Sequence, residues 1–350
     1  MESRLRQSMH NHVAIIIFFS LFIIIFPLLS FSQPDCSATS TGFTPINDLG
    51  TGTFTNAWGE TWTGGLYPGG SNDLPAAHKA AGLQLATEIA PRDSSGNPDK
   101  INGKIVWLSI GMSNATQESR QFIPLANAYE NKNPNLVFVD GAQGAMVASV
   151  ISSPWNTNYA TFWSTVNARL NDAGVTARQV QVIWFKEADP GPMYPSVHHY
   201  YDSMVVSFKR IMNEIKARFP NTKLCYMASR LSARYATTRL NPEPYSYYTG
   251  WAVKKVFEDQ INGNARLAYK GIHAKSPWLC WGIYMWSDGS TPQKTNPDIS
   301  WDCPVDFNND GIHPSIAGAQ KVGRLLLEFY KNDSVSCPWF FNKPPEFCTR

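Results

Sequence analysis

Apolar residues gather in five short blocks: KIVWLSIG (104–111), NLVFVDGAQGA (135–145), VQVIWFKEAD (180–189), TKLCYMAS (222–229) and PWLCWGIYMW (277–286). They are near-continuously hydrophobic, whereas a strand with one face in water would alternate, so they predict strands buried on both faces. The stretches between them carry helical spacing instead. Phe162, Val166 and Leu170 recur every four residues in 159–173, and Val205, Phe208, Ile211 and Ile215 stripe 197–219. Val322, Leu325, Leu326 and Phe329 stripe a last segment after Pro314. Alternating strands and amphipathic helices predict a parallel sheet covered on both faces, an α/β three-layer sandwich. One domain over about 50–333 holds all of them. Residues 37–68, rich in Gly, Thr and Trp without a helical period, read as an extended lead-in, and 336–350 as an irregular tail.

The first 32 residues stand apart. Arg4 and Arg6 precede an apolar run over 13–31, and Ser30-Phe31-Ser32 supplies small residues for cleavage after Ser32, the pattern of a secretory signal peptide. Left uncut, the run is nearly long enough to anchor the chain in a bilayer. Pro27 and the residues near Gln33 favour cleavage, which leaves 33–350 as one mature domain in a secreted or periplasmic setting. No later segment is long and apolar enough to cross a membrane. Six cysteines follow (Cys36, Cys225, Cys280, Cys303, Cys337, Cys348), an even number that predicts disulfides in an exported chain. Cys225 and Cys280 lie inside apolar blocks and read as buried thiols. No CxxC or His pair points to zinc.

At 350 residues, with 43% hydrophobic, 13% aromatic and 16% charged, the chain is globular and neither disordered nor a coiled coil. A net charge of +3 without any block of like charge argues against nucleic acid or an anionic membrane surface as partner.

In an open parallel sheet the ligand crevice lies beyond the carboxyl ends of the strands. The first block ends in Gly111-Met112-Ser113-Asn114, ahead of a helix beginning near Ala115. A serine at such a turn is exposed and near backbone N–H groups that can hold an oxyanion, although a serine there also serves as a plain helix cap. Asn114-Ala115-Thr116 matches a glycosylation sequon, but a glycan would block the crevice. After the second block, Gly144 lets a backbone N–H approach a ligand. Before the last helix, Asp310-Gly311-Ile312-His313-Pro314-Ser315 places a carboxylate three residues ahead of a histidine, where it can accept Nδ1–H and free Nε2 as a base. Competing readings are Ser315 as a cap with His313 exposed, and residues 306–311 as half a calcium loop. The latter lacks a carboxylate at its twelfth position, which is Ala317.

Ser113, Gly144, Asp310 and His313, in that order, resemble the SGNH (GDSL-type) hydrolase superfamily, and within it the sialate O-acetylesterase-like carbohydrate esterases. The first block of those esterases, Gly-Gln-Ser-Asn, stands here as Gly111-Met112-Ser113-Asn114. Their Trp-x-Gln-Gly-Glu-x-Asp is echoed in Trp184-Phe185-Lys186-Glu187-Ala188-Asp189, and Asp-Gly-x-His-Pro-Ser matches 310–315. The resemblance implies a flavodoxin-like parallel five-stranded sheet. It also implies a serine esterase without cofactor or metal, with Ser113 as nucleophile, His313 as base then acid and Asp310 as its orienter. The oxyanion would be held by the N–H groups of Ser113 and Gly144 and a third donor. Lys186 stands where that donor is missing, and its ammonium is expected either to supply it or to pair with Glu187 or Asp189. The substrate implied is an acylated carbohydrate, most simply O-acetylated. A lipid or general acyl esterase of the same superfamily, or a non-catalytic surface glycan-binding protein, are the alternatives. Trp155, Trp278, Trp286 and Trp301 read as either sugar-stacking or core residues.

Overall fold

The computed structural model describes residues 36–37 and 40–349; the predicted signal peptide over 1–32 and its cleavage site lie outside them. Before the sheet come α1 (Ile46–Leu49), β1 (Thr53–Thr55), β2 (Thr61–Thr63) and α2 (Ala76–Thr87). There follow β3 (Ile105–Gly111), α3 (Ser113–Ala128), β4 (Leu136–Asp140), α4 (Ala148–Ile151), α5 (Tyr159–Asp172) and β5 (Val180–Lys186). The remainder is α6 (Val197–Arg218), β6 (Leu224–Ala228), α7 (Tyr245–Ile261), β7 (Trp278–Ile283), α8 (Ile316–Asn332) and α9 (Cys337–Phe340).

Each of the five apolar blocks contributes one strand, and β3 to β7 pair in parallel in the order β4-β3-β5-β6-β7. Every residue of β3 and β5 is buried because side chains leave a strand on alternate faces and both faces are covered. Val106, Leu108 and Ile110 join α5, α6 and α7 in one core, through residues such as Phe162, Phe208 and Val256. Ile105 and Trp107 join α2, α3 and α8 in a second core, through Leu85, Phe122 and Leu326. The sheet order is flavodoxin-like and reverses between β3 and β5. The crevice beyond the carboxyl ends of those two strands is therefore where a ligand site is favoured.

The lead-in differs from its expected extended form. It contains α1 and an antiparallel hairpin, β1 with β2, in which Phe54 faces Trp62. Phe54 also stacks on Trp251 of α7 at 5.6 Å between ring centroids. Strands of three residues are too short to show a period, and the pairing is fixed by these aromatic contacts. The tail likewise forms helical turns, at α9 and over Glu346–Thr349, and Trp339 and Phe340 of α9 are buried against Tyr330. Disulfides join Cys36 to Cys303 and Cys337 to Cys348, while Cys225 and Cys280 are buried thiols. Among the described residues no helix is long and apolar enough to cross a membrane.

Candidate active site

β3 ends at Gly111, where a Cβ would lie 2.3 Å from the Lys186 carbonyl oxygen of β5 and 2.5 Å from Ala115 Cβ. Glycine thus lets the chain turn sharply between the two central strands. Helix α3 begins at Ser113 itself, two residues before the predicted start, with Met112 in the capping position. Ser113 therefore sits in a helical first turn, whose N–H groups have no intrahelical acceptor and carry the positive end of the helix dipole. Its Oγ lies 2.6 Å from His313 Nε2.

His313 is supplied by the loop between β7 and α8. Gly311 adopts φ +64° there, and a Cβ on it would lie 1.8 Å from the Tyr235 carbonyl oxygen, so the loop is pressed onto its neighbour. Asp310 Oδ2 bonds the His313 Nδ1, and Oδ1 accepts the N–H of Ile312 at 3.0 Å and of His313 at 2.9 Å. Partial burial pushes the Asp310 carboxyl up. The imidazole hydrogen bond and the two N–H donors outweigh that effect and hold it at about 2. The ionised carboxylate keeps the proton on Nδ1, so Nε2 is free to accept from the serine. Ser315 does cap α8, accepting the Gly318 N–H at 3.1 Å, but His313 is only partly exposed and does not point free into solvent. The sequon residue Asn114 is buried, and its Nδ2 donates to the Ile312 carbonyl at 3.1 Å, tying the first turn of α3 to the histidine loop. In the aspartate-rich loop, Asp306 accepts from the Asp302 N–H at 2.8 Å and from Lys321 at 3.4 Å.

Gly144 is exposed opposite the serine; a Cβ built on it would lie 4.0 Å from Ser113 Cβ. Its N–H has no acceptor among the described residues. The next residue, Ala145, is held at φ +64°, a conformation that costs a residue with a Cβ about 1–3 kcal/mol and is retained where surrounding structure enforces it.

Lys186 does not stand where a donor was expected. Its side chain is fully buried beneath the crevice, with Nζ 2.6 and 2.8 Å from the two oxygens of Glu118 on α3. The partner is neither Glu187 nor Asp189. Burial pushes Lys186 down to about 8 and Glu118 up, and their mutual attraction opposes both shifts. Asp189 instead accepts the Ser149 N–H at 2.8 Å and bonds the Tyr194 hydroxyl. Trp278, Trp286 and Trp301 are core residues without accessible surface, so sugar stacking does not fall to them; Trp155 is 94% exposed.

A cavity of about 270 Å³ opens beside Ser113 and His313, walled by Met112, Val147, Pro190, Leu240 and Ile312, with Asn114, Asp189, Arg230 and Asn241 as further polar members. A larger concavity of about 710 Å³, lined by Tyr67, Trp281 and Asp333 among others, contains neither the serine nor the histidine. Arg230 and Asn241 were not picked out in the sequence. Arg230 directly follows the fourth apolar block, so inspecting that strand end would have found it; Asn241 lies in an irregular segment with no pattern to mark it.

No protein-family model matches the sequence, and no curated protein does. Among solved structures, the chain is similar to protein YxiM of Bacillus subtilis, at 10% identity over 67% of this chain with a TM-score of 0.36. It spans 58% of the length of that protein. It is also similar to a Bacteroides fragilis protein named as a proposed acylhydrolase, at 13% identity over 73% of this chain and 97% of that one, with a TM-score of 0.36.

Proposed function

We propose that the chain is an exported serine ester hydrolase of the SGNH type, a single domain over 33–350 that removes small acyl groups, acetyl foremost, from an acylated carbohydrate. The observation that carries this reading is the line Ser113 Oγ, His313 Nε2, His313 Nδ1, Asp310 at the mouth of a small apolar cavity. His313 takes the serine proton as Oγ attacks the ester carbonyl. The oxygen of the tetrahedral adduct gathers negative charge against the N–H groups of Ser113 and Gly144. Imidazolium then returns the proton to the leaving alcohol, giving acyl-serine and free hydroxyl. Water, deprotonated by the same Nε2, releases the carboxylic acid and restores Ser113.

The cavity, about 270 Å³ or roughly nine water-sized volumes, has room for an acetyl group and for a longer acyl chain too, so chain length is a matter for assay. The two disulfides suit an oxidising compartment. Acetate release measured across a panel of acetylated glycans, beside hydrolysis of a long-chain acyl ester, tests the reading. Acetate release with poor long-chain turnover is expected. Preference for the long chain would make it a lipid esterase, and binding of glycans with no hydrolysis would leave a glycan-binding protein.

A further inference from the structure

Arg230 is the unusual group beside the nucleophile. It follows β6, is 3% exposed, and lines the same cavity as Ser113 and His313. Its Nε is buried without a partner, and its one recorded contact through Nη1 is to the Met112 sulfur at 3.8 Å. Among the described residues it forms no ion pair, although a guanidinium offers five donors in a fork shaped for a carboxylate.

The carboxylates that would be expected to answer it are otherwise engaged. Glu118 is held by Lys186, Asp310 by His313, and Asp189, which lines the same cavity, by the Ser149 N–H and the Tyr194 hydroxyl. Glu187 uses one oxygen on the Ala188 N–H and is pushed well above the usual carboxylate range, first by burial and then by Asp189 nearby. Glu118, Glu187 and Asp310 attract Arg230 through space without pairing with it, and a buried cation whose donors go unmet is costly. The remaining direction for its donors is the cavity, whose surface is mainly apolar apart from Ser113, Asn114, Asp189, Asn241 and His313.

We propose that Arg230 recognises a carboxylate carried by the substrate itself, so that the ester cleaved at Ser113 belongs to an anionic molecule. The proposal rests on the ester-hydrolase reading of Ser113 and His313. The carboxylate has two chemical sources, the far end of a dicarboxylic acyl group or an acidic sugar in the alcohol part. Both offer the planar pair of oxygens that a guanidinium grips in bidentate fashion.

The test compares kcat/KM of the wild type on three matched pairs: 4-nitrophenyl hemisuccinate against 4-nitrophenyl butyrate, the hemiglutarate against the valerate, and an O-acetylated methyl galacturonoside against its methyl ester. At least one charged member is expected to be preferred about tenfold to a hundredfold, the size of a hydrogen-bonded charged contact. The pair showing the preference identifies the source. Arg230→Gln is expected to bring that ratio to about one, chiefly through KM. Arg230→Lys, which keeps the charge but not the fork, is expected to fall between. Equal rates within every pair for the wild type would overturn the proposal. So would an Arg230→Gln variant that loses kcat equally on charged and neutral esters, since that marks an oxyanion donor. Calorimetric titration of the wild type and of Arg230→Gln with succinate and with methyl galacturonoside separates the two readings. Binding that needs Arg230 in a protein that cleaves none of the esters sinks the hydrolase and keeps the anion site. Cleavage of the neutral esters without any Arg230-dependent binding or preference does the reverse.

Discussion

Ser113 Oγ lies 2.6 Å from His313 Nε2 across 200 residues of chain. The approach depends on α3 and α8, which pack so closely that a Cβ on Gly323 would lie 2.9 Å from the Gln121 carbonyl carbon. The start of one helix and the loop before the other are thereby fixed together, with Asn114 bonded to Ile312 across the join. Ser113→Ala is expected to lower kcat by about ten-thousandfold or more. Its thermal midpoint should hardly move, because a first-turn serine contributes about 1 kcal/mol or less. Assays of turnover and unfolding on the same preparation decide this; a folded variant with near wild-type turnover removes the serine from the chemistry.

Asp310→Asn probes the orienting role. The amide oxygen can still accept the Ile312 and His313 N–H groups, so the loop should keep its shape. An amide N–H facing Nδ1 forces the other tautomer and puts a proton on Nε2, where the serine needs an acceptor. A loss of roughly ten-thousandfold in kcat with little change in KM is expected. A loss confined to KM would mean that Asp310 binds substrate instead.

The five strands were legible because burial on both faces leaves an uninterrupted apolar signal, as in VQVIWFK at β5. Helix α7 was not, because it is buried around most of its circumference and carries polar residues inside: Lys254 donates to the Gly64 carbonyl at 2.6 Å, and Gln260 to that of Pro277 at 3.0 Å. Such a helix has no polar face to give a period. The loop that carries Asp310 and His313 was visible as a short local motif. Lys186 was misplaced for the opposite reason, since its partner Glu118 is 68 residues away and the acidic residues adjacent in sequence point elsewhere. Arg230 bears no local mark, and its meaning lies in the ion pairs that it does not make.

Removing Lys186 should therefore damage stability before it damages the chemistry. Lys186→Met leaves Glu118 buried and unpaired, which costs about 3–5 kcal/mol. Replacing both, Lys186→Met with Glu118→Leu, removes the two charges together and is expected to recover most of that loss. Chemical denaturation of the two variants gives the comparison. If Lys186→Met instead unfolds like the wild type and loses a hundredfold or more in kcat, its ammonium is an oxyanion donor after all.

The last prediction concerns pH. Asp333 is partly buried at the C-terminal end of α8, where Oδ2 accepts the Ser336 N–H at 2.9 Å and the Tyr226 hydroxyl at 3.2 Å. Burial raises it to about 6 from an ordinary 3.8, against the pull of those hydrogen bonds. Glu243, partly buried and accepting the Trp286 indole N–H, is likewise raised to about 7 from 4.5. For a raised carboxyl the folded chain holds the proton more tightly than the unfolded one, so stability is greatest at low pH and falls as pH rises toward the folded value. At about 1.4 kcal/mol per unit, ionised Asp333 costs the fold about 3 kcal/mol, most of it accumulated between pH 4 and 6. His78, lowered by burial, acts in the opposite sense below its ordinary 6.5, and Lys216 and Lys254, lowered to about 8, do so above pH 8. A variant isolates the carboxyl from them. Asp333→Asn keeps an oxygen for the same donors and cannot ionise, so its stability relative to wild type should improve by about 2 kcal/mol between pH 4.5 and 7.5. Urea unfolding of both proteins at the two pH values measures that difference of differences. A gap that is constant with pH, or that widens on acidification, shows that Asp333 is not held protonated by its burial.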